Sequence, residues 1–148
     1  MEEKNYDALL LKNQLCFPLY ACARETIKLY TPHLDKIGLT YTQYITMMVL
    51  WERKSLTAKE LGTILYLDSG TLTPMLKKLE GKGLLTRRRS EADERNLIVT
   101  VTEAGENLKE QALHIPAEMT KLINLSREEV RRMYDSLYKL LEVSESGK

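Results

Sequence analysis

The sequence predicts a mainly α-helical fold carrying one small β-hairpin, and three observations predict it. Apolar residues recur with a helical period over most of the chain. Three Ser/Thr-x-x-Gln/Glu patterns mark helix starts. The period changes to two only between Leu84 and Thr102. With 148 residues, 43% hydrophobic and 29% charged, and only 7 Gly and 4 Pro, the chain is neither disordered nor low-complexity. Its length suits a single domain over 1–148, read as helical flanks at 1–37 and 103–148 around a central region, 40–102.

The elements follow in order. Residues 6–30 read as a long helix with Leu11, Leu15, Leu19 and Ala23 four residues apart. Pro18 implies a kink or a restart, and Thr31-Pro32 is expected to end the segment. Thr40-Tyr41-Thr42-Gln43 opens a helix through Ile45, Met48 and Val49. Thr57-Ala58-Lys59-Glu60 opens a shorter one through Leu61, Ile64 and Leu65. After a tight Leu67-Asp68-Ser69 connection, a further helix runs to about Gly81, with Gly83 as its stop. Two alternating runs, Leu85–Arg89 and Leu97–Val101, flank a polar loop and form the hairpin. Helix resumes after Thr102, breaks at Pro116, and restarts at Ser126-Arg127-Glu128-Glu129. Val130, Met133, Tyr134, Leu137 and Leu141 give that last helix one apolar stripe.

Two short helices joined by a tight turn and followed by a basic hairpin are the layout of a winged helix-turn-helix. Net charge is only +1, yet residues 77–89 hold six basic groups (Lys77, Lys78, Lys82, Arg87, Arg88, Arg89) against Glu80 alone. Phosphate binding needs clustered charge, not a high total. In the second helix of the pair, Leu72, Met75, Leu76 and Leu79 share one arc, while Gly70, Pro74, Lys77 and Lys78 share the other, flanked by Thr71 and Thr73. Ser69 and Thr71 are placed for base edges or phosphates, and Lys77 and Lys78 for the backbone. In the hairpin, Arg87 and Arg88 are further candidates, although alternation turns neighbours opposite ways. At its tip Arg95 suits a minor groove, with Asp93 orienting it. A charged face is also compatible with simple solvation, but the order of these features favours double-stranded DNA.

Asp68-Ser69-Gly70-Thr71-Leu72-Thr73-Pro74-Met75-Leu76-Lys77-Lys78-Leu79-Glu80, followed by Asp93-Glu94-Arg95, resembles the MarR family of bacterial dimeric winged-helix regulators. The resemblance spans about residues 8–145. It implies a homodimer with interleaved terminal helices and two recognition helices reading a pseudo-palindromic operator. Spacing alone fits helices packed within one subunit equally well.

Two cysteines cannot make a disulfide scaffold, and the amino terminus has no basic-then-apolar leader, so a reducing cytoplasm is expected. No apolar run approaches the ~20 residues of a membrane span. Cys16 has Tyr20 one helical turn on, with Tyr30 and Tyr41 further along. A phenol hydroxyl can donate to a thiolate and favour the charged form, and a helix start restored by Pro18 would act likewise. A cysteine on an apolar helix face also suits a small core residue. The set Cys16, Tyr20, Tyr30, Tyr41 is similar to the organic hydroperoxide resistance regulators within the same family, in the single-cysteine branch. That similarity implies Cys16 as the peroxide-reactive thiol, tyrosines donated by the dimer partner, and a low-molecular-weight thiol that traps the oxidised sulfur. Cys22 lies ~9 Å further along a straight helix, beyond the ~7 Å limit for a disulfide, and reads as structural. His33 and His114 follow no metal-ligand spacing, and no phosphate loop or nucleophile elbow occurs. No cofactor and no enzymatic activity are therefore expected. The rival readings are a regulator released by a non-covalent aromatic ligand, a thiol peroxidase, which would be short of a resolving cysteine, and a winged-helix protein-interaction module.

Overall fold

Helix starts in this chain are fixed by side chains that accept from orphan backbone N–H groups. The computed structural model describes residues 5–146. They fall into two units, one reaching Ile115 and one starting at Pro116.

In the first unit, two short 3-10 turns (Asp7–Leu9, Leu11–Asn13) lead to helix α1, Cys16–Leu34. A 3-10 turn, Asp35–Ile37, ends at Gly38 in the left-handed region (φ 67°). Helix α2 spans Tyr41–Arg53, strand β1 Ser55–Thr57, and helix α3 Ala58–Leu65. Helix α4 is Ser69–Gly81, strands β2 and β3 are Leu85–Arg89 and Leu97–Val101, and helix α5 is Glu103–Ala112. Both predicted capping boxes form: Thr40 Oγ1 accepts from Gln43 N while Gln43 Oε1 accepts from Thr40 N, and Thr57 and Glu60 do the same. Asp68 caps α4 through Thr71 N at 2.9 Å, and Thr102 caps α5 through Gly105 N at 3.1 Å.

The core of this unit gathers Leu34, Met47, Leu50, Leu61, Leu76, Leu79, Leu85 and Val99, each nearly inaccessible. Trp51 Nε1 donates to the Gly105 carbonyl at 2.8 Å, tying α2 to the first turn of α5. A side chain at Gly105 would collide with the Leu84 carbonyl oxygen, so only glycine fits there.

Helix α6, Ile115–Leu122, begins at the boundary, and α7, Arg127–Ser146, forms the bulk of the second unit. The third capping box forms as predicted, with Ser126 Oγ accepting from Glu129 N at 3.2 Å and Glu129 Oε2 from Ser126 N at 2.8 Å.

Three expectations are corrected. The first helix does not begin at residue 6: α1 starts at Cys16, which puts Pro18 third in the helix, where its missing N–H costs no intrahelical bond and causes no kink. Nor does Thr31-Pro32 end it, because α1 continues to Leu34, whose side chain is buried. That burial and the following 3-10 turn outweigh the local preference before proline. Finally, the hairpin is part of a three-stranded antiparallel sheet ordered β1-β3-β2, with Leu56 opposite Val99.

Candidate nucleic-acid interface and thiol site

Helix α4 divides as its sequence implies. Leu72, Met75, Leu76 and Leu79 are buried, whereas Ser69, Gly70, Thr71, Thr73, Pro74, Lys77 and Lys78 are all exposed. Met75 is held inside by the Thr46 hydroxyl, 3.4 Å from its sulfur. The Thr71 hydroxyl donates to Asp68 Oδ2 at 3.1 Å. The two hydrogen bonds from Thr71 hold the Asp68 carboxyl below the usual range. Pro74 lacks an N–H, so the Gly70 carbonyl has no intrahelical donor four residues on.

The cations of the central block are not equivalent. Lys77, Lys78 and Arg88 are exposed. Lys82 instead points its ammonium at the Gly38 carbonyl and, at 3.1 Å, at Gln43 Oε1. Arg87 is turned inward onto Glu80, and Arg89 donates to the Glu94 carbonyl at 3.0 Å. At the hairpin tip, Arg95 Nε and Nη2 meet Asp93 Oδ1 and Oδ2 at 3.1 and 3.3 Å. The Arg95 side chain is 90% exposed, so the pair fixes its direction without burying it. Asp93 is consequently held below the usual carboxylate range, first by the Arg95 guanidinium and then by the Arg95 N–H.

Cys16 is the first residue of α1 and is exposed in the single chain, among the exposed side chains of Leu15, Phe17 and Tyr20. Tyr20 does not turn to the thiol: its hydroxyl accepts from Arg24 Nη1 at 3.2 Å, with the guanidinium over the ring. Fourteen residues of α-helix separate Cys16 from Tyr30, roughly 21 Å of rise, so one chain does not bring them together. Tyr30 meets Tyr41 edge-on, ring centroids 5.0 Å apart, and lies 6.0 Å from Tyr44. Burial, then the neighbouring Tyr41, pushes the Tyr30 phenol up, so it keeps its proton at neutral pH. Cys22 is exposed and not part of the chain's core, contrary to its structural reading.

Sequence reasoning missed two groupings. Glu80 is engaged with Arg87 across a helix-to-strand connection, a separation that no local pattern reports. The rings of His33 and His114, remote in sequence, approach to 6.3 Å, and His33 Nδ1 is buried with no partner among the described residues. Among the described residues no cluster of three or more metal-ligating side chains forms, and no helix is long and apolar enough to cross a membrane.

The family model described as transcriptional regulator SarA/Rot matches residues 28–112. The chain is 51% identical over 140 residues to the organic hydroperoxide resistance transcriptional regulator of Bacillus subtilis (strain 168), covering 95% of each. It is 44% identical over 127 residues to the HTH-type transcriptional regulator SarZ of Staphylococcus haemolyticus, covering 86% of each. A solved structure of reduced AbfR bound to DNA superposes with a TM-score of 0.76 at 36% identity, covering 89% of this chain and 92% of that one.

Proposed function

This chain belongs to the MarR family of winged helix-turn-helix transcriptional regulators, and on that premise we propose a homodimeric cytoplasmic repressor that holds operator DNA while Cys16 is reduced. Oxidation of Cys16 by an organic hydroperoxide releases the DNA. The observation that carries this reading is the placement of Cys16, exposed at the head of a 19-residue helix and flanked in the sequence by Leu15 and Phe17, which one chain also leaves uncovered.

On DNA, the exposed arc of α4 enters the major groove. Ser69, Gly70, Thr71, Thr73 and Pro74 lead, Lys77 and Lys78 take phosphates, and Arg95 follows into the minor groove, directed by Asp93. Two such surfaces related by a two-fold axis read a pseudo-palindrome, each half-site one turn from the next. Residues 1–37 and 103–148 supply the dimer seam, to which α7 contributes Val130, Met133, Tyr134 and Leu137, all exposed in one chain.

At the thiol, the partner supplies what one chain cannot. Tyr30 and Tyr41 of the second subunit donate from their hydroxyls to the Cys16 sulfur. The thiolate attacks the terminal peroxide oxygen, the O–O bond breaks, and the alkoxide leaves as an alcohol after taking a proton. Cys16 becomes a sulfenic acid. A low-molecular-weight thiol then displaces water and leaves a mixed disulfide. To move the dimer from 99% DNA-competent to 1%, the modified sulfur must disfavour that geometry by about 5.5 kcal/mol.

Cys16→Ser is expected to bind operator with parental affinity and to stay bound under cumene hydroperoxide, as followed by fluorescence anisotropy. Release of that variant at the parental peroxide dose would refute the redox switch. Intact-mass spectrometry of the parent should show one added oxygen, then a thiol adduct.

A further inference from the structure

Glu80 lies in the last turn of α4, and Arg87 is the central residue of β2. One carboxylate and one residue share three hydrogen bonds. Arg87 N donates to Glu80 Oε1 at 2.9 Å, while Arg87 Nε and Nη2 donate to Oε2 at 3.0 and 2.8 Å. Arg87 alternates onto the inner face of the hairpin with Leu85, opposite the fully buried Val99, and its side chain is only 19% exposed. The guanidinium has given its Nε–Nη2 edge to Glu80, which leaves only the Nη1 group and one Nη2 hydrogen for any other acceptor.

The connection that the pair spans is short and turns at a glycine. Only Lys82, Gly83 and Leu84 join α4 to β2, and Gly83 sits in the left-handed region with φ of 73°. Backbone rotation there would swing the hairpin against α4. From Leu85 to Ser90 the strand reaches ~17 Å, so a 10° swing displaces the base of the tip by ~3 Å. That shift is enough to take Arg95 off a groove that α4 has already fixed.

We propose that Glu80 and Arg87 are positioning residues that set the angle between the reading helix and the wing, so that α4 and Arg95 address the duplex as one body. The inference rests on the DNA-binding reading above and assigns Arg87 no phosphate. Hydrogen bonds from the Arg87 side chain, then its backbone, hold the Glu80 carboxyl below the usual range, so it stays ionised at neutral pH.

The two roles for Arg87 give opposite signs for Glu80→Gln. If Arg87 is a phosphate ligand, removing the anion beside it frees the guanidinium and tightens binding. If the pair positions the wing, the same change weakens binding despite removing a negative charge from a surface that meets a polyanion. The probe is a duplex selected by the parent protein from a random-sequence library, measured by anisotropy over a salt series. Glu80→Gln and Arg87→Lys are expected to lose about tenfold in affinity for that duplex, the order of one lost groove contact. Each should lower the slope of log K against log salt by no more than Arg95→Ala does, because a misplaced wing forfeits only the Arg95 contact. Arg88→Ala serves as the charge control and should lower the slope by about 0.9 per half-site. Near-ultraviolet circular dichroism confirms that each variant folds. A parent that binds no duplex overturns the DNA-binding reading and this inference together. A parent that binds, with Glu80→Gln binding equally or more tightly, overturns the positioning role alone.

Discussion

Residues 40–102 and residues 5–34 spend their apolar side chains in opposite ways. In the first region, α2, α3, α4 and the sheet bury Tyr44, Met47, Leu50, Leu61, Leu72, Leu76, Leu79, Leu85 and Val99 within one chain. In the second, Leu34 alone is buried, while Leu9, Leu11, Leu15, Phe17 and Tyr20 are all exposed. Contiguous apolar surface of this kind on a folded chain marks an interaction face. The surface proposed to read DNA is assembled by one chain, whereas the thiol region has its proposed partners, Tyr30 and Tyr41, a helix length away.

The largest effect is expected at Gly105, where an added methyl meets the Leu84 backbone and the Val101 side chain. Gly105→Ala should cost about 3 kcal/mol by urea denaturation. A near-parental midpoint would mean that the first region is looser than its packing implies. Next comes Phe17→Glu, which is expected to weaken self-association by about 2 kcal/mol, read by sedimentation equilibrium, with helix content retained. Loss of helix content at concentrations where the chain is monomeric would place Phe17 in the chain's own core and erase the contrast.

The smallest effect concerns acid. Backbone N–H bonds from Thr57 and Thr71 hold Glu60 and Asp68 below the usual carboxylate range. Lowered values in the fold mean stabilisation that is complete above the ordinary range and lost as pH falls through the depressed ones. The thermal midpoint should therefore drop with acidification, more steeply in the parent than in an Asp68→Asn, Glu60→Gln double variant. Equal slopes would remove these caps from the pH dependence.

The contrast also marks what the sequence could show. Capping boxes at Thr40, Thr57 and Ser126 were legible because donor and acceptor lie three residues apart. The two arcs of α4 were legible because burial there follows the helical period. Strand β1 was not, since three residues carry no period, and its ladder partner, Val99, is 43 residues from Leu56. The start of α1 escaped as well, because the leucines at 9–11 and 15 keep a helical spacing that no core within the chain rewards. Arg87 reads as a free cation until the fold brings Glu80 beside it. Tyr30 and Tyr41 as proposed partners of Cys16 were suggested by resemblance, because helix rise separates Tyr30 from Cys16 in any single copy.

Trp51 is the only tryptophan of the chain, and its indole N–H is spent on the Gly105 carbonyl. Nature has thereby placed a fluorophore on the bolt between α2 and α5, with no competing indole elsewhere. Excitation at the red edge of protein absorbance reports on that junction without a label. A shift in its emission under peroxide, timed against loss of duplex, would show whether news of the oxidised sulfur passes through this hinge or around it.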